Sequence, residues 1–331
     1  MSLYNAKFDS FGSYVPEKIV NNYDLEKKVD TSDEWIRTRT GMFERHFSAS
    51  HEAASDLAFH AAEKAIYGSK TTRLKDIQMI IVGTISGDHP FPATACILQK
   101  KLGLKDIPAF DVSAGCTGFI YAADIARHYI ETGAYDTILV VGVEIPTRTI
   151  NWDDRGTCIL FGDGAGAAII KRAEKNDLSR IIDSKITADA TEWELLMQKA
   201  GGSRYPASQE TLRENAHTIY MEGNKIFKHA VRSMYAVSSD LLKKNNMDVK
   251  DLDWIVSHQA NLRIIDALAE KFKAPKSKVI VTIEKYANTS SSSIPIAVTD
   301  AINEGKIRRG DIVLITAFGA GLTYGTIIFR Y

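Results

Sequence analysis

One cysteine in this chain sits where a thiol can do chemistry. Cys116 lies in Asp111-Val112-Ser113-Ala114-Gly115-Cys116-Thr117-Gly118-Phe119, with small residues on both sides and a helix-like stretch beginning at once. Gly115 and Gly118 permit a tight turn and the close approach of a substrate. A cysteine at a helix N-terminus meets unpaired N–H groups and the positive end of the dipole, a setting that lowers a thiol pKa from about 8.5 towards roughly 3.5–7.5. The expectation is a thiolate near neutral pH, the form that attacks a thioester. The same residues also describe a small buried cysteine in a tight turn. Cys96 and Cys158, inside apolar stretches, read as core.

Two further residues could join such a thiol. His258 ends the apolar run Trp254-Ile255-Val256-Ser257 and opens Gln259-Ala260-Asn261-Leu262-Arg263. A strand-end histidine followed by amides suits a site as well as it suits a core. Asn288, in Tyr286-Ala287-Asn288-Thr289-Ser290-Ser291-Ser292-Ser293, is either a side-chain amide for a site or part of a helix-capping cluster. Phe318-Gly319-Ala320-Gly321-Leu322-Thr323-Tyr324-Gly325 is a glycine-rich loop after a strand. It could turn backbone N–H groups towards a developing oxyanion, or be simply a tight turn. Phe161-Gly162-Asp163-Gly164-Ala165-Gly166 has neither Walker nor Rossmann spacing, and close packing of a turn explains it better than a nucleotide.

The elements that must hold these residues are an α/β set. Met79 to Val82, Thr137 to Val141 and Asp311 to Ile315 read as buried strands, and Phe119 to Thr132 and Ile294 to Glu304 as helices. Continuous apolar strands alternating with helices imply covered sheets. The pattern echoes itself: a glycine follows Cys116 by 17 positions at Gly133 and follows Asn288 by 17 at Gly305, each before an apolar strand. Lys75-Asp76-Ile77 and Lys250-Asp251-Leu252 likewise each lead into a strand. Cys116, His258 and Asn288 thereby fall at strand ends or helix starts, where α/β sheets place their chemistry.

Composition bounds the rest. The chain has 331 residues with 41 basic and 41 acidic side chains, enough for a large core and without the excess charge of a broad nucleic-acid surface. No apolar run approaches the roughly 18 residues of a membrane span, and Met1 to Lys7 lacks a signal-type apolar stretch. A cytoplasmic location is expected. Three cysteines without a CxxC pair describe neither a disulfide framework nor a zinc site, so no metal is expected.

Taken together these segments resemble β-ketoacyl-acyl-carrier-protein synthase III, a family of the thiolase-like superfamily. The resemblance runs over nearly the whole chain: Thr31-Ser32-Asp33-Glu34-Trp35-Ile36-Arg37-Thr38-Arg39-Thr40-Gly41, His89-Pro90-Phe91-Pro92-Ala93-Thr94-Ala95-Cys96, the Cys116 segment, Leu160 to Gly166, Ser257 to Arg263, Asn288-Thr289-Ser290 and the terminal glycine loop. It implies an α/β fold, a thiolase-like five-layer αβαβα sandwich of two similar halves. These are expected at 1–172, with the cysteine, and 173–331, with the histidine and asparagine. A variable cap segment is expected near 188–213.

The resemblance further implies a catalytic set of Cys116, His258 and Asn288, with backbone N–H groups of Cys116 and Ala320 as the oxyanion hole. An acyl-CoA would acylate Cys116; malonyl-acyl carrier protein would then lose carbon dioxide and attack, starting fatty acid synthesis. Coenzyme A enters as substrate, with no permanent cofactor. Its contacts carry over to Trp35, Arg39, Arg155, Gly223, Phe227 and Asn261, and Phe91 would close the primer pocket across a homodimer interface. Taken singly, Trp35 is equally a core residue, and Arg39 and Arg155 surface ion pairs. Lys225, Lys228, Arg232, Arg263 and Lys271 are candidates for docking the acidic carrier protein, or an ordinary solvated face. Three departures stand out: Ala320 and Ala287 where the family commonly has glycine, and Glu270 where lysine is frequent. A specialised-metabolism acyltransferase of the same fold with another acceptor is the alternative. A non-catalytic carrier-protein scaffold fits less well because the cysteine is kept.

Overall fold

A computed structural model describes residues 3–331 of the protein. Nine strands form its two main sheets: β1 (Ala6–Tyr14), β2 (Met79–Gly83), β3 (Ala109–Val112), β4 (Thr137–Glu144), β5 (Gly164–Arg172), β6 (Arg180–Ala188), β7 (Trp254–Ser257), β8 (Ile312–Gly319) and β9 (Thr323–Arg330). The first sheet runs β1-β5-β4-β2-β3 and the second β7-β8-β9-β6. In the first, β2 pairs in parallel with β3 and β4, while β5 is antiparallel to β4 and β1. In the second, β7 is parallel to β8, and β9 is antiparallel to β8 and β6. The two sheets therefore repeat one order and set of directions. The second sheet's counterpart of β3 is reduced to a parallel bridge between Ile255 and Val279.

Five helices complete the layers: α1 (Ala54–Gly68), α2 (Gly118–Glu131), α3 (Gly223–Lys244), α4 (Leu262–Phe272) and α5 (Ser293–Asn303). α2 and α5 lie between the sheets, where Phe119, Ala122, Ala126, Ile294, Ala297 and Ala301 join one apolar core with strand residues of both sheets. α1 covers the outer face of the first sheet, and α3 and α4 cover that of the second. Strand β2 explains why its run is wholly apolar. Met79 and Ile81 face the central helices while Ile80 and Val82 face α1, so both faces are buried. The result is the five-layer αβαβα sandwich of two similar halves.

Close packing fixes how the strands and turns meet the central helices. A Cβ on Gly83 would lie 2.3 Å from the Gly118 carbonyl carbon, and one on Gly142 would lie 2.6 Å from Ser291 O. Glycine lets the strands approach the starts of α2 and α5 this closely. The Phe161 to Gly166 segment has the same role: a Cβ on Gly162 would meet Tyr286 O at 2.6 Å, and one on Gly166 would meet Pro295 at 2.6 Å. Cys158 is buried as expected, but Cys96 is exposed. Its apolar stretch is the helix Thr94–Lys101, which turns Ala95 and Leu98 inward and leaves Cys96 on the outside. No helix among the described residues is long and apolar enough to cross a membrane.

Candidate active site

Cys116 and Asn288 occupy equivalent positions in the two halves. Cys116 lies within a single 3₁₀ turn (Gly115–Thr117) and Asn288 two residues before another (Ser290–Ser292), and each turn leads directly into a central helix. Backbone in the left-handed region makes both turns: φ is +55° at Gly115, +53° at Ala287 and +52° at Ser290. Strand-like contacts with the first half clamp the asparagine, its N–H donating to Leu160 O at 2.9 Å and its carbonyl accepting from Gly162 N at 3.1 Å. His258 follows directly on β7, its N–H donating to Thr316 O at 2.8 Å.

These three side chains line one cavity of about 440 Å³, together with Ala320, Glu144 and Ser290. The rest of the wall is mainly apolar, including Met221, Ile226, Ala230, Met234 and Phe318, and the segment expected as a cap contributes Trp193, Leu196 and Met197. Such a space suits an elongated, mainly apolar ligand with a few polar groups at its end.

The hydrogen bonds dictate what the polar groups present. Asn288 Oδ1 accepts from Ser290 N at 2.9 Å, which leaves the Nδ2 hydrogens to donate into the cavity. His258 Nδ1 lies 2.7 Å from Ser293 Oγ, and Gln259 N donates to that same oxygen at 3.4 Å. When the Ser293 hydroxyl donates to Nδ1, the neutral ring carries its own hydrogen on Nε2 and presents it to the cavity. Burial drives the imidazole pKa down to about 3, which keeps the ring uncharged.

Backbone donors lie beside the thiol. A Cβ on Gly319 would sit 2.7 Å from Cys116 N, and one on Gly115 would sit 2.8 Å from Ala320 N, so the two segments abut. Among the described residues no backbone carbonyl accepts from either N–H.

The thiol itself departs from expectation. Cys116 is half-buried, with its surface on the cavity, and burial pushes its pKa up to about 12 rather than down; Glu144 adds to the rise and Ser290 opposes it. The depth of the sulfur decides the sign: desolvation penalises the anion more than one turn of oriented N–H groups stabilises it.

Several expected contacts lie off the cavity wall. Trp35 forms a surface cluster with both arginines, the Arg155 and Arg39 guanidiniums lying 5.0 and 6.0 Å from its ring centre. Gly223 opens α3 on the exposed side, and Phe227 faces Arg263, 5.8 Å from its ring, while α3 turns Ile226, Ala230 and Met234 to the cavity instead. Asn261 caps α4, its Oδ1 accepting from Arg263 N at 2.9 Å, between the cavity residues Ala260 and Ile264. Phe91 is 85% exposed. Of the basic candidates, Lys225 is paired with Glu222 at 2.9 Å and Lys271 lies over Tyr235 at 5.0 Å, whereas Lys228, Arg232 and Arg263 are exposed.

Glu144 escaped the sequence reading. It ends β4, is 1% exposed, accepts from Ile85 N at 3.2 Å and Thr84 Oγ1 at 3.3 Å, and also bonds the Ser86 hydroxyl. The available signal was a lone carboxylate closing a run that is otherwise apolar apart from Thr137.

A five-layer sandwich in which a thiol, an imidazole and an amide converge at the starts of its central helices defines a thiolase-like condensing enzyme. Comparison with known proteins narrows the class. The family models for 3-oxoacyl-[acyl-carrier-protein] synthase III and for its C-terminal region match residues 110–190 and 242–331. A β-ketoacyl-[acyl-carrier-protein] synthase III of Caldanaerobacter subterraneus subsp. tengcongensis is 47% identical over 97% of this chain and 96% of its own length. One from Clostridioides difficile is 46% identical with the same coverage. The crystal structure of 3-oxoacyl-[acyl-carrier-protein] synthase III from Aquifex aeolicus superposes with a TM-score of 0.91 at 43% identity, covering 98% of this chain and all of that one. The chain belongs to the β-ketoacyl-acyl-carrier-protein synthase III family, condensing acyltransferases of fatty acid synthesis.

Proposed function

We propose that the protein joins an acyl-CoA primer to malonyl-acyl carrier protein through an acyl thioester on Cys116. The observation that carries this reading is the convergence of Cys116, the two side-chain donors and the abutting 116 and 320 backbone on one apolar cavity. In the first half-reaction the Cys116 sulfur attacks the primer carbonyl, and the Cys116 and Ala320 N–H groups hold the oxyanion until coenzyme A leaves. In the second, the malonyl carboxylate departs as carbon dioxide. His258 Nε2–H and the Asn288 amide donate to the thioester oxygen, which bears the enolate charge. The enolate carbon attacks acyl-Cys116, expelling the cysteine sulfur and releasing β-ketoacyl-carrier protein. Two neutral donors suit this step, because the charge they stabilise appears only as the carbon–carbon bond to carbon dioxide breaks.

Trp35, Arg39 and Arg155 supply a flat face and two cations for the nucleotide end of coenzyme A, and Gly223, Phe227 and Asn261 flank the path inward. Lys228, Arg232 and Arg263, with Lys225 and Lys271 beside them, offer the charge for the acidic carrier. The exposed Phe91 and Ile85 and the free edge of β3 support a homodimer, read directly as the mass in light scattering.

The experiment that tests the division of labour follows carbon dioxide release from malonyl-acyl carrier protein. Cys116→Ala should still decarboxylate but form no β-ketoacyl product. His258→Ala and Asn288→Ala should accept an acyl group yet lose decarboxylation by about 10²-fold or more. Decarboxylation undiminished in both donor variants would contradict the assignment.

A further inference from the structure

Acylation requires the Cys116 thiol to lose a proton, and the imidazole opposite is not arranged to receive it. In the donor role proposed above, His258 keeps its hydrogen on Nε2 towards the cavity with Ser293 on Nδ1, and burial disfavours its charged form. A different path leads away from the sulfur. Ser290 Oγ lies 3.4 Å from Cys116 Sγ and 3.2 Å from Glu144 Oε1. A serine hydroxyl has one hydrogen. Donated to the carboxylate, it leaves an oxygen lone pair facing the thiol. Glu144 is otherwise held by the Thr84 and Ser86 hydroxyls and Ile85 N–H, and it lines the cavity itself. The neighbours that touch its carboxylate are neutral, and Cys116 is the titratable group in reach.

We propose that Glu144, acting through the Ser290 hydroxyl, takes the Cys116 proton as the thioester is attacked and returns it to the departing coenzyme A sulfur. The inference rests on the acyl-cysteine reading above. The Sγ–carbonyl carbon bond forms while the thiol proton passes to Ser290 Oγ and the serine proton passes to Glu144 Oε1. As the carbon–sulfur bond to coenzyme A breaks, Glu144 returns a proton to Ser290 Oγ and the serine hydroxyl gives its own to the leaving thiolate, which departs from beside the acylated Sγ. The sum is thiol plus thioester giving acyl-cysteine plus coenzyme A thiol. Glu144 touches no substrate and is a positioning residue for the proton. Its burial supports the role. Burial pushes the carboxyl up to about 7 and the thiol to about 12, so the acceptor becomes ionised as pH rises through neutrality while the thiol does not ionise unaided.

Charge alone predicts the opposite effect of removing Glu144. Its carboxylate raises the thiol pKa, so a purely electrostatic role makes Glu144→Gln acylate faster. The relay makes it slower. The test is the single-turnover acylation rate of the full chain with acetyl-CoA between pH 5 and 9, read by quenched-flow intact mass, with thermal midpoints as a check on folding. Wild type should speed up through about pH 7. Glu144→Gln and Ser290→Ala should each fall by about 10²-fold and lose that inflection, rising only towards alkaline pH. Ser290→Ala keeps the carboxylate but also loses a bond that lowers the thiol pKa, so if Glu144→Gln does not fold the test rests on the pH profile: the relay requires Ser290→Ala to lose the inflection near pH 7, and an inflection that persists overturns it. Unchanged or faster acylation in a folded variant, with the wild-type pH profile, overturns the relay. A wild-type protein that never acylates overturns the acyl-cysteine reading, and the relay with it.

Discussion

Gly319→Ala is a one-methyl test of the oxyanion hole. Gly319 lies at the end of β8 in strand backbone that alanine adopts freely, so the substitution introduces no conformational strain of its own. What it introduces is volume. The new Cβ would stand 2.7 Å from Cys116 N and 3.1 Å from both Ala114 O and Thr117 N, where 3.4 Å is ordinary contact. All three neighbours are backbone atoms, so no side chain can swing aside. The Cys116 turn must retreat by several tenths of an ångström, about the tolerance within which a preorganised site still works. Losing one well-placed oxyanion donor costs about 2.7–4 kcal/mol, or 10²–10³ in kcat. Overpacking of this size costs the fold only about 1–3 kcal/mol. The expected outcome is a folded protein with a modestly lower thermal midpoint, KM for acyl-CoA within about threefold of wild type, and kcat down by about 10²-fold. A folded Gly319→Ala with wild-type kcat would refute the reasoning that the Cys116 N–H must be held in place.

Three other outcomes are expected. Ala287 is buried with φ +53° and ψ −150°, a conformation that costs a residue with a Cβ about 1–3 kcal/mol; Ala287→Gly should therefore raise stability in urea unfolding by about 1 kcal/mol after the entropy of glycine is deducted. Lys228→Glu with Arg232→Glu should raise KM for malonyl-acyl carrier protein about tenfold, leave that for acyl-CoA unchanged, and show a smaller difference at high salt. His258 has a folded pKa of about 3, below its unfolded value near 6.5, so the unfolded chain binds more protons between these limits. Its stabilising contribution is complete above about pH 6.5 and is lost as pH falls towards 3. Relative to His258→Gln, wild type should lose up to about 1.4 kcal/mol per pH unit across that window in denaturant titrations.

The sequence disclosed the site where local pattern and chemistry coincide. Cys116, His258 and Asn288 stand at abrupt changes from apolar strand to small or polar residues, and the structure brings all three to one cavity. Strands such as Met79–Gly83 were legible because burial on both faces leaves no polar position. Glu144 was not, since a single carboxylate after a long apolar strand reads as the strand's exposed end. Only the folded chain brings Ser86 and Ser290 to it from 58 and 146 residues away. The thiol pKa was misjudged for a related reason. The helix start is visible in the sequence, whereas the depth of the sulfur depends on both halves packing over it. Gly223 and Phe227 were placed on the right helix but not on its cavity face, which Ile226, Ala230 and Met234 occupy. For Cys96, an apolar neighbourhood gave no indication of which side of a short helix faces out.

The most direct measurement of the central claim is the intact mass of the protein after incubation with short-chain acyl-CoA primers, followed by addition of malonyl-acyl carrier protein. The mass should increase by one acyl group, map to the peptide bearing Cys116, be absent from Cys116→Ala, and return to the starting value as β-ketoacyl-carrier protein appears. An adduct on another residue, or one on Cys116 that malonyl-acyl carrier protein leaves in place, would contradict the account.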